Sequence, residues 1–166
     1  MTKKFLVVIL ICLSVSFFVK PEAKAQLKYG AGIFYGTWMN NPGLNVRAEF
    51  SIGESLAAVP KINISIPRLS SGTFLNSVSL HMHYNVEISE ELDVYPLAGI
   101  TLKSYLDIDK YGNDRIFHQF GVNPALGAGG KIKLTDAFEV FAEGRFELGR
   151  YHQFVSTIGV LMTPKR

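Results

Sequence analysis

Charged side chains at alternate positions are the first feature of this sequence that could do chemistry. Arg47 and Glu49 are separated by one residue, and Glu143, Arg145 and Glu147 repeat that spacing near the C-terminal end. Residues two apart lie on the same face of an extended strand, so each segment presents a row of charges. Such a row could line a pore, relay protons or form a structural network of salt bridges. We predict the structural network, because charges in a crowded interior must be paired.

Two histidines share the same spacing. An imidazole pair at His81 and His83 suits a metal ion, but a metal site needs further ligands. The next acidic residue, Glu87, lies four positions after His83, and the only cysteine, Cys12, lies in the apolar segment near the N-terminus. Because the ligand set is incomplete, we predict no metal and no cofactor. Both histidines should instead hydrogen bond to neighbouring Ser or Glu side chains.

The polar segment at residues 107–118 begins like a calcium-binding loop. It has aspartates at the first and third positions and a glycine at the sixth. However, Tyr111 replaces the third ligand, and His118 stands where a bidentate glutamate should be. We interpret the segment as a polar surface loop.

Hydrophobic alternation identifies the elements that position these residues. Apolar and polar residues alternate without exception along 44–52, and 138–148 repeats the pattern with Phe141 as one interruption. A period of two is typical of β-strands. Turn signals divide the chain into eight segments, which we place at 27–38, 44–53, 57–67, 75–88, 92–106, 119–134, 137–149 and 153–163. Every connection except 107–118 is short enough for an antiparallel hairpin, so the sequence predicts an all-β, eight-stranded antiparallel up-and-down barrel.

The connections differ in length from one end of the barrel to the other. Tight connections that contain Glu54, Glu90 with Glu91, and Asp136 alternate with connections that are longer on average. This alternation puts short turns at one rim and longer loops at the other, as in bacterial outer-membrane barrels.

The residues on the polar face predict that this face lies inside. They include many small residues, namely Gly30, Gly32, Gly36, Ser51, Ser65, Ser79, Gly99, Gly121, Gly127 and Gly129. In an eight-stranded barrel the interior is only just wide enough for side chains, so small residues make room for long ones. The apolar face carries no charge, as lipid exposure requires. Tyr29, Tyr35, Trp38, Tyr84 and Phe138, near strand ends, are candidates for aromatic girdles.

We therefore predict a transmembrane β-barrel with a polar, salt-bridged lumen in which charges of both signs balance. The predicted lumen network consists of Arg47, Glu49, His81, His83, Glu87, Lys103, Glu143, Arg145 and Glu147, and the same face also carries Lys28, Lys61, Lys131, Lys133 and Glu139. No pattern in the sequence identifies a catalytic residue.

The first 25 residues have the pattern of a cleaved secretory signal. Residues 1–4 are basic, 5–19 are apolar with serines, and Ala23 and Ala25 occupy the positions that a signal peptidase needs. The apolar run is shorter than the roughly 20 residues of a spanning helix. Residues 26–166 then form one domain. The chain has 17 basic and 14 acidic residues, and without residues 1–25 it has 13 of each. This balance argues against nucleic-acid binding.

Several segments resemble the small outer-membrane β-barrel proteins of the OmpA/OmpX type. These are 95–99, 120–130 with the turn that follows it, and the closing stretch 138–146. The resemblance implies a monomeric barrel in the cell outer membrane, with its N-terminus and tight turns facing the periplasm. It also implies contact with lipopolysaccharide, phospholipid and the outer-membrane assembly machinery. The implied role is structural or surface-exposed, or very limited passage of small solutes.

Two features depart from that group. The chain ends at Arg166 without the aromatic residue that such proteins use in assembly, and Pro60, Pro96 and Pro124 fall inside predicted strands. A proline cannot donate to a β-ladder, so we expect bulges or strand ends at these three positions.

Two alternatives remain open at this point. One is a secreted soluble barrel that binds an apolar ligand inside. The other is a lipid A-modifying enzyme, because some barrels of this group are deacylases or acyltransferases. The candidate residues for such an enzyme, His118, His152, Ser70, Ser71 and Ser156, form no recognisable motif.

Overall fold

The chain forms a sheet of long antiparallel strands in a computed structural model that describes residues 27–66, 73–107, 117–149 and 152–164. The strands are β1 (Leu27–Gly36), β2 (Asn41–Ser51), β3 (Leu56–Ser65), β4 (Thr73–Tyr84), β5 (Val86–Glu87), β6 (Leu92–Asp107), β7 (Phe117–Lys133), β8 (Phe138–Glu147) and β9 (Gln153–Met162), with one 3-10 turn at Trp38–Asn40. No helix among the described residues is long and apolar enough to cross a membrane. The predicted signal segment lies outside the described residues.

The strands close into a barrel. Strands that follow one another in sequence pair with each other, except β4 and β5; both of these pair with β6, and β1 pairs with β9. Since β5 is a two-residue continuation of β4, the wall has eight strands, which confirms the predicted up-and-down topology. Closure pairs the first strand with the last and so removes the exposed edges that a flat sheet would have.

The pairing register fixes the tilt of the strands. A path through opposed residues runs from Leu27 to Phe50, Ala58, Met82, Ala98, Leu126, Phe146 and Phe154. From Phe154 the path closes on Thr37, the residue that follows β1, whose amide donates to the Phe154 carbonyl at 2.9 Å. The path therefore arrives ten residues further along than it began. Over eight strands this stagger corresponds to a tilt of about 41°, so a ten-residue strand rises about 25 Å, the height of the apolar band of an outer-membrane barrel.

The three prolines interrupt pairing without producing bulges. On either side of Pro60 the β2–β3 ladder keeps one register and only the pairs between are missing. Pro96 lies opposite Tyr84, where the β4–β6 ladder is interrupted before β5, and the register again continues unchanged. Pro124 lies where the β7–β8 ladder ends. The prediction of bulges or strand ends agrees with the ladder end at Pro124. No bulge forms at Pro60 or Pro96, because a missing donor removes a pair but adds no residue to the strand.

The apolar residues face outward and the charged residues face inward. Leu44, Val46 and Phe50 are 53%, 52% and 42% exposed, whereas Arg47 and Glu49 are each 2% exposed. None of the outward-facing residues of the described strands is Asp, Glu, Lys or Arg. The predicted face assignment is confirmed, and it is the reverse of what a soluble barrel with an apolar interior requires.

The two ends of the barrel also match the prediction. Tight turns at Gly53, Glu90 and Asp136 lie at one end, where hydrogen bonds such as Ile52 N to Leu56 O at 2.8 Å close them. The predicted girdle residues lie near strand ends, and Tyr29, Tyr35, Tyr84 and Phe138 are exposed. Trp38 packs edge-on against Tyr105 with ring centroids 5.8 Å apart. Most of the predicted loop at 107–118 lies outside the described residues.

Candidate functional site: the barrel lumen

Glu143 is the centre of the lumen network. Its carboxylate accepts hydrogen bonds from Lys61 Nζ at 2.6 and 2.7 Å, from Arg47 Nη1 at 3.1 Å and from Arg145 Nη1 at 3.1 Å. All four side chains are 0–1% exposed. Glu143 is near the middle of the ten-residue strand β8, so this cluster lies at about mid-height in the wall.

The network continues toward the loop end of the lumen through Glu147. Arg145 Nε donates to Glu147 at 2.9 Å, and Lys103 Nζ lies 2.8 Å from the other carboxylate oxygen. Gln153 Nε2 donates to that same oxygen at 2.8 Å. Arg145 therefore joins the two glutamates into one continuous network.

Two further ion pairs lie toward the turn end. Lys131 Nζ donates to Glu49 at 2.6 Å, with both side chains 2–3% exposed. Lys28 Nζ donates to Glu139 at 2.6 Å, where both side chains are slightly more exposed.

Some ion pairs join opposite walls of the barrel. Lys61 lies on β3 and Glu143 on β8, and these strands are four positions apart in the eight-stranded ring in either direction. Lys131 on β7 and Glu49 on β2 have the same relation. Each of these pairs therefore crosses the full width of the lumen.

Two aromatic side chains are part of this network although sequence analysis did not include them. The Arg47 guanidinium carbon lies 3.7 Å above the centroid of the Phe141 ring. Tyr95 stacks on His83 with ring centroids 4.4 Å apart and an interplanar angle of 10°. In the sequence, Phe141 occupies an inward position on the otherwise charged face of its segment, and this position could have identified it as a lumen residue. A cation–π contact with Arg47 explains why an aromatic ring occupies that position.

Glycines face the largest inward side chains across the strands. The opposed pairs are Gly99 with His81, Gly127 with Arg145, Gly129 with Tyr95 and Gly159 with Phe141. A Cβ added at Gly129 would lie 2.5 Å from Cζ and 2.6 Å from the hydroxyl oxygen of Tyr95. The predicted role of small residues on this face is thus supported by the contacts, since they admit bulky neighbours into a narrow interior.

Most of the predicted network residues come together, but Glu87 does not. It lies exposed on β5 at the turn end, opposite Asp93. It is separated from the network because β5 extends beyond the ring of buried side chains. Lys61 and Lys131, which the predicted network omitted, belong to it. The alternation along their strands places both side chains inside the barrel. Which residues they contact, however, depends on the stagger between the strands.

The two histidines are buried but form no cluster of metal ligands. His81 Nε2 lies 3.4 Å from Thr101 Oγ1, and His83 Nε2 lies 3.9 Å from Glu143 Oε2. In the described part of the chain, no group of three or more His, Cys, Asp or Glu side chains is placed to hold a metal ion. The predicted hydrogen bonds to Ser or Glu are wrong for both: His81 contacts a threonine, and neither ring nitrogen of His83 has a hydrogen-bond partner among the described residues.

The buried charges do not balance. Among the described residues, the buried basic side chains are Arg47, Lys61, Lys103, Lys131 and Arg145, and the buried acidic ones are Glu49, Glu143 and Glu147. The prediction that charges of both signs balance is therefore wrong for the buried part of the lumen that the structure describes. Two of the three carboxylates, Glu143 and Glu147, compensate in part by each accepting from more than one cation.

The sequence matches a known family over most of its length. Residues 13–154 match the family described as the outer membrane protein beta-barrel domain. The chain belongs to this family. A comparison with curated proteins gave no match.

Solved structures support the same architecture. The N-terminal β-barrel domain of Pseudomonas aeruginosa OprF superposes with a TM-score of 0.67 at 16% identity, covering 84% of this chain and 98% of that one. Neisserial surface protein A has a TM-score of 0.66 at 12% identity, covering 85% and 97%. The outer membrane enzyme PagL has a TM-score of 0.50 at 10% identity, covering 81% and 97%. At these identities the likeness concerns the fold, which an enzyme can share.

The candidate enzyme residues form no site among the described side chains. Ser156 and His152 are exposed, on β9 and just before it. Ser70 and Ser71, and the side chain of His118, lie outside the described residues.

Proposed function

We propose that this outer-membrane barrel is a non-enzymatic, occluded anchor in the cell envelope. Its role is to span the membrane and present its loops at one surface, with at most very limited passage of small solutes. The support is the filled lumen: in the part of the chain that the structure describes, eight buried charged side chains and their aromatic neighbours occupy the interior. An eight-stranded barrel leaves room for side chains and little else.

One contact carries this proposal. The bridge from Lys61 to Glu143 joins opposite walls near mid-height, and Arg47 and Arg145 bind the same carboxylate. A solute crossing the lumen would have to displace this cluster, which costs several kcal/mol because each ion would lose its buried partner.

Conductance across a planar lipid bilayer tests the occlusion. The purified mature barrel should insert without stable ion-conducting steps. A barrel in which Glu143→Ala shortens the central acceptor should conduct more often than the wild type. Glu54→Ala, which changes an exposed carboxylate in a tight turn, should behave as the wild type. Stable conductance of porin size in the wild-type barrel would contradict the proposal.

The proposed surroundings are outer-membrane lipid on the apolar face and the assembly machinery during insertion, with a monomer as the functional unit. The exposed apolar side chains on every wall support lipid contact. Crosslinking in native outer membranes should give a monomer-sized species. A regular ladder of dimers and trimers would show that the unit is larger.

The likeness to PagL, an outer membrane enzyme, keeps an enzymatic role open, and the lipid A modification considered from the sequence is the alternative to test. Mass spectrometry of lipid A from cells with and without the protein should give identical acyl patterns. A lost or gained acyl chain that depends on the protein would replace the anchor role with an enzymatic one.

A further inference from the structure

The excess of buried positive charge requires compensation. Among the described residues, five buried basic side chains face three buried acidic ones inside a wall whose outer surface is apolar. A charge without a partner is costly in such surroundings, where water is scarce and the dielectric constant is low. Either the lumen binds an anion or some of its basic groups are uncharged.

Arg47 offers the edge where an anion could bind. Its Nε donates to Asn45 at 3.1 Å and its Nη1 donates to Glu143 at 3.1 Å. Its Nη2 is buried and has no hydrogen-bond partner among the described residues, although the whole residue is only 2% exposed. A guanidinium edge with a free N–H is a strong donor to anions.

A second free donor belongs to the same part of the lumen. The Tyr95 hydroxyl is buried beside the Arg47 guanidinium, in a residue that is 1% exposed, and its own hydrogen has no acceptor among the described residues. Tyr95 stacks on His83, whose Nε2 lies 3.9 Å from the Glu143 oxygen that accepts from Arg47. Lys131 Nζ is 5.4 Å from the Tyr95 ring centroid and adds positive charge nearby.

We propose that the lumen binds one small inorganic anion of the halide type at the Nη2 edge of Arg47, with the Tyr95 hydroxyl as a further donor. The anion offsets part of the positive charge that the three buried carboxylates do not neutralise. A monatomic ion suits the site better than an oxyanion, because glycines such as Gly129 are already needed to fit Tyr95 into the interior. This binding goes beyond the anchor role and does not depend on whether the lumen conducts.

The line width of the ³⁵Cl nuclear magnetic resonance signal tests this proposal directly. With sodium chloride as the probe, the folded barrel in detergent should broaden the chloride signal beyond the detergent blank. Arg47→Gln should remove most of this excess width. Lys133→Gln removes one positive charge from an exposed rim position and should leave the width unchanged. Folding of each variant is checked by the migration of unheated protein in a gel.

Tyr95→Phe provides a second variant that keeps all charges. It removes only the hydroxyl donor and should reduce the excess width, whereas addition of bromide should displace chloride in the wild type. An Arg47→Gln barrel that broadens chloride as strongly as the wild type would overturn the site. Absence of broadening by the folded wild type would overturn anion binding altogether and assign the charge excess to an uncharged basic group. Neither result would bear on occlusion, which the bilayer conductance measures separately.

Discussion

Replacing the central carboxylate is the sharpest test of how the lumen is held together. Glu143→Gln keeps the shape of the side chain but removes its negative charge. Lys61 loses its one observed ion-pair partner, and Arg47 and Arg145 each lose one. Arg145 keeps Glu147 at 2.9 Å, so the main penalty falls on Lys61 and Arg47, for which Glu143 is the one observed ion-pair partner. Removing one partner of a buried ion pair typically costs about 3–5 kcal/mol, and we expect a loss of folding free energy in that range.

Urea unfolding in lipid vesicles measures this loss. The folded fraction is read at each urea concentration from the migration of unheated protein in a gel. Glu54→Gln is the matched control, because it makes the same chemical change in an exposed turn, and it should shift the folding free energy by less than about 0.5 kcal/mol. A loss below about 1 kcal/mol for Glu143→Gln would refute the idea that this carboxylate organises the lumen.

A double-mutant cycle identifies the mechanism. Lys61→Met replaces the ammonium by an apolar group of similar length, so it removes the cation that Glu143→Gln leaves uncompensated. The double variant should therefore be more stable than Glu143→Gln alone, since an apolar replacement of a buried pair is often tolerated. Additive losses from the two substitutions would mean that Lys61 and Glu143 contribute independently.

Three other predictions follow from the fold. Gly129→Ala should destabilise the barrel by about 1–3 kcal/mol in the same urea assay, because its Cβ would overlap Tyr95, while Gly53→Ala should be neutral, since nothing lies within 4 Å. Equal effects of the two substitutions would contradict the packing argument. Val46→Lys, on the lipid face near mid-height, should cost about 2–4 kcal/mol, and Ile52→Lys, at the turn end, about 0–1 kcal/mol; the opposite order would place the membrane elsewhere along the barrel. The unheated barrel should migrate differently from boiled protein in a gel containing dodecyl sulfate, and a single position for both samples would argue against a detergent-resistant barrel.

The fold was predictable because one periodic signal decides it. Side chains of a strand alternate between faces, so a polar lumen and a lipid-facing surface impose the same pattern on every segment. The predicted strand at 44–53 is observed as Asn41–Ser51, and 153–163 as Gln153–Met162. Boundaries near the loops differ by a few residues because turn residues can extend a ladder without changing the alternation.

The lumen contacts were only partly predictable. Alternation identifies which residues face inward, but it does not say which of them meet. Lys61 and Glu143 are 82 residues apart in sequence and on opposite walls, and nothing in either local segment indicates their contact. The prediction for Glu87 was wrong for a related reason. Alternation shows that a side chain belongs to the inward face, but it does not show how far along the barrel axis that side chain lies.

The stagger of the barrel is what converts a repeated pattern into a particular site. Because opposed residues return to β1 ten positions further along, each inward side chain is assigned a height as well as a wall. Sliding one strand by two residues would preserve every face assignment and every apolar contact with lipid. It would nevertheless move Glu143 along the axis by roughly 5 Å, far enough to separate it from Lys61. The outer face therefore tolerates many registers, whereas the charge pairs across the lumen favour one, and we infer that they help to select the native barrel among alternatives that lipid exposure alone would not distinguish.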